Sequence, residues 1–310
     1  MTLLPPGLSV LARSSPELAE LYRQAELAAK SRAPVLILGE PGTGRSSLAR
    51  ASHAASERSQ APLIEVDAAA IPASLFESEF FGHRVGAFTG ADVASEGRVG
   101  RASGGSLLLD HVEDLPLSVQ AKLLRLLSEG RYVPLGGGEL FADVRFLAIG
   151  SHELRSRVAA GSFREDLYFR LEVVTLEIAP LRRRRGDLEP LVHFFLTDLA
   201  ERFGTGDLKL SSRARRWMEK YSWPGNLREL RNVLEREVVL AGTRTAARGS
   251  TLDPQPPAGS TEVPRSLAQM EREQIERALA FTRGHQGQAA EILGISRKAL
   301  WEKRKRYELP

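Results

Sequence analysis

The chain contains no cysteine, which excludes disulfides, thiolate metal sites and a cysteine nucleophile. It has no uninterrupted apolar run of the roughly 18 residues that a membrane helix needs. Its start, Met1 to Ser15, lacks a basic region and is broken by Pro5, Pro6 and Gly7, so no secretory signal is expected there. Net charge is also scarce: 43 basic residues against 39 acidic ones leave +4. That is too little to name a partner, and the placement of the basic residues matters more. What is present is an ordinary globular composition, 42 % hydrophobic and 26 % charged over 310 residues. Such a chain is not mainly disordered, and its length predicts about two domains. A cytoplasmic protein with no membrane partner is the simplest expectation.

Residues 35–149 alternate short apolar runs with amphipathic stretches. Val35–Leu38, Leu63–Val66, Ser106–Leu109 and Val144–Ile149 read as strands, with Val173–Ile178 further on. Their unbroken apolar character suits a parallel sheet buried on both faces. Val119, Leu123, Leu124, Leu126 and Leu127 carry helical spacing between strands, and strand–helix alternation predicts an α/β domain. After Pro180 the pattern predicts helices only: Leu188–Phe203, Ala214–Tyr221 and Asn226–Leu240. Residues 241–264, rich in Pro, Gly, Ser and Thr, read as a linker. Ser266–Phe281 predicts another helix, and two shorter ones flank Gly294.

The first chemical signal is Gly39-Glu40-Pro41-Gly42-Thr43-Gly44-Arg45-Ser46, followed by Ser47. It sits after an apolar strand and opens a helix, the context of a phosphate-binding loop. The glycines allow backbone N–H groups to turn inward around a phosphate chain. Arg45 stands where the pattern calls for lysine, and a planar guanidinium does not replace a compact ammonium in a tight cradle. Downstream, Gly104 to Asp110 is an apolar strand ending in a carboxylate, the form of a Walker B element that holds magnesium. Ser46 and Asp110 are the candidate metal ligands.

With Gly86-Ala87-Phe88-Thr89-Gly90-Ala91, inside the segment from Glu77 to His83 and beyond, the sequence resembles the bacterial enhancer-binding proteins, the AAA+ activators of sigma-54 RNA polymerase. Phe163 to Leu171, Trp223 to Leu230 and a carboxy-terminal helix-turn-helix match as well, so the resemblance covers nearly the whole chain. It implies a AAA+ α/β domain over residues 1–180, a helical lid over 181–240, a linker over 241–265 and a Fis-like DNA-binding domain over 266–310. It implies ATP and Mg2+ as cofactors, with the loop Gly86–Ala91 touching the sigma factor. Arg164 and Arg170 align with arginines offered to the neighbouring subunit's nucleotide in a homo- or hetero-oligomeric ring. Arg228 aligns with the lid arginine that contacts the subunit's own nucleotide. Arginine suits such charge compensation on a transferring phosphoryl group.

Four positions depart from that pattern together. Arg45 replaces the loop lysine, and Asp110-His111 stands where the family has Asp-Glu. Asp67 and Ser151 stand where the family has two asparagines. Glu113 is expected past the strand end, unsuited to replace the missing glutamate. A positioned acid–base group is commonly worth about 10²–10⁴ in rate, so the changes point to relaxed catalytic demand. The basic run Arg182–Arg185 reads as a solvated or inter-subunit face, with a nucleic-acid patch as the alternative.

In the carboxy-terminal module, Ala289 and Ala290 permit close helix packing, Gly294 the turn, and Ser296 a helix cap. Ile292, Leu293, Ile295 and Leu300 are expected to fill its core. Arg297, Lys298, Lys303, Arg304, Lys305 and Arg306 give the second helix six basic residues in ten, the footprint of a helix that binds duplex DNA. Arg304 stands where the family usually has an apolar residue. No sensory domain is expected in the short stretch before Val35, so control is expected from another protein, from expression level, or from nothing. Two readings stay open: an ATP-hydrolysing activator, and a DNA-binding regulator with a degraded nucleotide site acting as scaffold, repressor or ring partner. The Gly86–Ala91 loop disfavours a third, a DNA-remodelling helicase loader.

Overall fold

The computed structural model describes residues 15–241, 250–254, 271, 274–275, 278–279, 282 and 285–307. Helix α1 (Pro16–Ala29) precedes β1 (Val35–Gly39), and α2 (Arg45–Ala54) follows the glycine-rich loop. Then come β2 (Leu63–Asp67), α3 (Ala73–Phe81), α4 (Gly97–Arg101), β3 (Ser106–Asp110) and α5 (Leu117–Glu129). A small antiparallel pair, β4 (Arg131–Tyr132) and β5 (Leu140–Phe141), leads to β6 (Arg145–Gly150), α6 (Glu153–Ala159), α7 (Glu165–Leu171) and β7 (Val174–Ile178).

The five main strands form one parallel sheet in the order β2-β3-β6-β1-β7. Every residue of β1 and β6 is buried, as the continuous apolar runs require of a sheet covered on both faces. Strand alternation sorts the side chains into two cores. Val35, Ile37, Leu147 and Ile149 face the side packed by α1 and α2. Leu36, Leu38, Leu107 and Leu109 face the side covered by α3 and α5. Helix α5 buries Val119, Leu123 and Leu126 and stops at Gly130, whose left-handed φ of 70° lets its N–H reach back to Leu126.

The lid begins with α8 (Leu188–Phe203), continues through β8 (Leu208–Leu210) and α9 (Ser212–Lys220), and ends on α10 (Asn226–Ala241) and β9 (Ser250–Leu252). It is not helices only, because β8 and β9 pair in parallel. The stretch read as a linker therefore contains a strand, and Leu252 is buried in the same core as Leu208 and Leu210.

The chain divides into two compact units, residues 1–255 and 256–310. In the second, residues 271, 274–275 and 278–279 are helical; the rest of the helix expected over Ser266–Phe281 lies outside the described residues. Helix α11 (Gln286–Ile292) turns at Gly294, φ 66°, into α12 (Arg297–Arg306). Ser296 caps α12 by accepting from the Ala299 N–H at 3.1 Å. The core holds Ile275, Ala278, Ala289, Ala290 and Leu300, with Leu293 and Ile295 packed against it. Ile292, expected inside, is instead 57 % exposed.

Candidate nucleotide cleft, partner loop and DNA helix

The glycine-rich loop joins β1 to α2, and Gly42 and Gly44 adopt φ of 80° and 107° that other residues rarely reach. A Cβ on Gly42 would sit 2.3 Å from the Gly225 carbonyl, so only glycine lets loop and lid approach this closely. A cleft of about 690 Å3 opens here, lined by Pro41, Gly42, Thr43, Gly44, Arg45, Ser46, Ser47, Asp110, His111 and Arg228. All ten belong to the motifs that the sequence predicts for the site. Tyr22, Phe194 and Phe195 add an aromatic wall, and no sequence motif marks them.

Gly39 and Glu40 do not line the cleft. The Gly39 carbonyl accepts from the Arg45 Nη1 at 3.0 Å. The Glu40 carboxylate is gripped by both terminal nitrogens of Arg182 and meets Asn226 Nδ2, and Arg182 holds its pKa below the ordinary range. The Glu40 side chain thus ties the loop to the lid. Arg184 is buried and donates to the Thr43 carbonyl at 3.0 Å, and burial lowers its pKa despite Asp187 beside it. So the run Arg182–Arg185 is not uniformly solvated: Arg184 is buried against the loop, while Arg182, Arg183 and Arg185 are exposed.

Arg45 is buried. Its Nη1 donates to the Gly150 carbonyl at 2.8 Å as well as to Gly39, so that nitrogen is committed to backbone at the ends of β1 and β6. Asp110 ends β3, where Ser46 Oγ donates to its Oδ2 at 3.4 Å and the His111 N–H to its Oδ1 at 2.9 Å. His111 adopts φ 55°, and its Nδ1 donates to Asp67 Oδ1 at 2.9 Å. Burial disfavours the imidazolium, but the Asp67 hydrogen bond and the charges of Asp110, Asp67 and Glu113 outweigh it and raise the pKa. Glu113 follows in a tight turn beyond β3 and is buried; Oε1 accepts from the Ser151 N–H at 3.1 Å, while Oε2 has no partner. Two of the four departures, Asp67 and His111, are thus bonded to each other, and Glu113 reaches the third, Ser151.

Arg164 and Arg170 lie outside this cleft. Arg164 makes a two-pronged pair with Asp166 at 2.7 and 3.0 Å, and Arg170 donates to the Leu127 carbonyl at 3.1 Å. Both are exposed.

The segment Gly86–Ala91 is a tight excursion on a pinned neck. His83 and Ser95 exchange two backbone hydrogen bonds, the Arg84 N–H donates to Leu135, and the Gly86 N–H donates to Ala91. Ser78 Oγ and His83 Nδ1 share a bond of 2.8 Å, and the Phe88 ring stands edge-on to His83 at 5.0 Å. Gly86 and Gly90 have positive φ with nothing near the place of a Cβ. Phe88, Thr89 and Gly90 are exposed, Ala87 is half-buried and Ala91 is buried. The neck is held by these hydrogen bonds and the tip is exposed.

On α12, Ser296, Arg297, Lys298 and Lys305 are exposed, whereas Lys303 and Arg304 are partly buried. Lys303 pairs with Glu271, and Arg304 keeps a buried Nε without a partner. Arg306 contributes helix only; its side chain lies outside the described residues.

Residues 11–177 match the sigma-54 interaction domain family. The chain belongs to the sigma-54-dependent transcriptional regulators. Residues 182–261 match the AAA+ ATPase lid domain and 266–307 the Fis family of bacterial regulatory proteins. The transcriptional regulatory protein ZraR of Klebsiella oxytoca is 41 % identical over 98 % of this chain and 70 % of its own length. The sigma-54-dependent transcriptional activator SfnR of Pseudomonas putida is 45 % identical over 79 % of this chain and 69 % of its own. The crystal structure of NtrX from Brucella abortus in complex with ADP superimposes with a TM-score of 0.72 at 31 % identity, covering 96 % of this chain and 69 % of that one. This sigma-54-family regulator has, among its described residues, no helix long and apolar enough to cross a membrane.

Proposed function

We propose that this regulator binds ATP in the cleft between loop and lid, presents Gly86–Ala91 to sigma-54 RNA polymerase, binds duplex DNA through α12, and hydrolyses ATP poorly. Support for nucleotide binding comes from the loop amides, the positive end of the ten-residue α2 and Arg228 at the lid. The relative NtrX has been crystallised with ATP and with ADP. Ser46 Oγ and Asp110 Oδ2 supply the oxygen donors that magnesium takes, and so fit that ion. Magnesium, when bound, neutralises phosphate charge. Asp67 holds the His111 ring by Nδ1, and no carboxylate stands at position 111 to orient a water.

The observation that carries the reading of poor hydrolysis is Arg45, whose Nη1 is spent on two backbone carbonyls where a free cation is needed at the phosphates. The test is Arg45→Lys combined with His111→Glu, followed by phosphate release. Release should rise at least about tenfold, a fraction of what one positioned acid–base group is worth. An unchanged rate would overturn the claim that these two positions limit turnover.

The placement of Arg164 and Arg170 outside their own cleft favours a second reading, a mixed ring with a catalytically intact relative. An arginine supplied in trans can be worth roughly 10³–10⁵ in rate. Titrated into such a relative, the unmodified chain should sustain turnover per intact site, and Arg164→Ala with Arg170→Ala should lower it. Equal turnover with and without the two arginines would leave a solitary DNA-bound regulator.

A further inference from the structure

A second cavity, of about 490 Å3, opens at the foot of the Gly86–Ala91 loop and shares no lining residue with the nucleotide cleft. Its walls come from α3 and α4, from the neck of the loop and from the β4–β5 hairpin, through Phe81, Gly100, Arg84, Glu96, Tyr132 and Phe141. Small-molecule sites commonly measure about 300–1,000 Å3 and combine apolar walls with a few convergent polar groups. Phe81 and Tyr132 are buried and nearly parallel, with ring centroids 6.4 Å apart and planes at 28°. Phe141 lines the same cavity with 70 % of its surface in solvent, beside the exposed Leu140. Rings open to a recess in this way contribute little to a core and are available to an occupant.

Polar groups without partners converge on this recess. Tyr132 is 6 % exposed, yet its hydroxyl makes no hydrogen bond among the described residues. A Cβ on Gly100 would stand 3.2 Å from that hydroxyl and 3.1 Å from the Glu96 Cβ. Glycine inside a helix costs about 1 kcal/mol against alanine; here the missing side chain keeps the space over the hydroxyl open. Burial and the charge of Glu96 raise the Tyr132 pKa, against Arg84, so the phenol stays protonated and offers a donor. Arg84 and Glu96 each follow one residue of the His83–Ser95 bridge. Such diagonal neighbours share a face at about 7–8 Å, within reach of long side chains. Both line the cavity, and neither makes an ion pair among the described residues. A lone anion would satisfy Arg84 and face like charge at Glu96, and a lone amine would do the reverse. A zwitterion satisfies both, and an aromatic body on it matches the ring-lined recess.

We propose that this cavity binds a free α-amino acid with an aromatic side chain: its carboxylate on Arg84 and the Tyr132 hydroxyl, its ammonium on Glu96, and its ring in the recess of Phe81, Tyr132 and Phe141. Bound there, the ligand ties the neck of the Gly86–Ala91 loop to the β4–β5 hairpin, which makes the cavity an effector site for that loop. The effector role rests on the loop's proposed contact with sigma-54 polymerase; the binding itself does not.

The experiment is calorimetric titration of the full chain with L-phenylalanine, with and without saturating ATP. Binding should saturate at one site per chain and be unaffected by ATP. Phenylacetate and phenethylamine, each lacking one charge, should bind about tenfold more weakly, the worth of one hydrogen bond to a charged group. Glycine, which lacks the ring, should lose at least as much. Arg84→Ala and Glu96→Ala should each weaken phenylalanine about tenfold, and Tyr132→Phe about fivefold. Gly100→Gln places a better helix former in α4; it should fill the space and abolish binding while the melting temperature holds or rises. Cleavage by trypsin after Arg84 should slow at saturating phenylalanine in the unmodified protein and not in Gly100→Gln, and unchanged cleavage would remove the effector role. Absence of saturable binding would overturn the proposal, as would equal binding of phenylacetate or phenethylamine, or binding that survives Gly100→Gln. Displacement of phenylalanine by ATP would assign it to the nucleotide cleft and overturn the proposal too. ATP binding without phenylalanine binding would defeat this inference and leave the nucleotide reading standing.

Discussion

Arg45 shows what a single residue type can conceal. The sequence states that a guanidinium replaces an ammonium; only the structure shows it turned to Gly39 and Gly150. The glycines and Asp110 were legible because their backbone or chemical demands admit few substitutes. Glu113 was not, since its role depends on a carboxylate folding back to Ser151 after a turn that no pattern dictates. Two histidines carry opposite consequences for pH. Burial, with the Arg145 guanidinium nearby, holds His53 below the ordinary imidazole pKa, against a backbone hydrogen bond at Ala61. The unfolded chain then takes up a proton that the folded one refuses, so stability falls as pH drops below about 6.5. His111, with its pKa raised, contributes stability that is fully present below about pH 6.5 and is lost as pH climbs through the folded value. Melting temperatures across this range should show His53→Gln flattening the acid side and His111→Asn the alkaline side. Superimposable profiles for either variant and the parent would contradict the assignment for that residue.

At the scale of elements, the strands were readable because their apolar runs are continuous, and the structure moves their limits by only a residue. Helix α8 coincides with the expected Leu188–Phe203. Strand β8 escaped because three residues offer little alternation, and its partner β9 lies some forty residues on, in a stretch of linker composition. The lid clasp was also hidden, since the Trp223–Asn226 turn makes its contacts across the fold. Asn226 is buried at φ 52°; its Oδ1 accepts from the Leu181 N–H at 2.8 Å and its Nδ2 donates to the Pro41 carbonyl at 3.1 Å. Asn226→Ala leaves those groups unsatisfied and is expected to cost about 2 kcal/mol. That corresponds to a melting temperature lower by roughly 4–8 °C, accompanied by weaker ATP binding as the lid loosens from the loop. Calorimetric scanning with and without nucleotide measures both, and an unchanged melting temperature would show that the clasp does not hold the lid.

For the whole molecule, motif order conveyed more than any single match. A phosphate loop, the Gly86–Ala91 tip, a strand ending in Asp110, the Arg164–Arg170 helix and a terminal helix-turn-helix follow one another as in the sigma-54-dependent regulators, and all the elements that carry them are present. The segments proposed to meet partners, Phe88 to Gly90 and Arg297, Lys298 and Lys305, are exposed, while the groups around the cleft are held by hydrogen bonds: Asp67 to His111, Glu113 to Ser151, Arg45 to backbone. The direct test of this division is to measure ATP binding and steady-state phosphate release on the same preparation of the unmodified protein. The account predicts saturable, magnesium-dependent binding with release far slower than about one per second, the low end of ordinary enzymes. Release at or above that rate would contradict it.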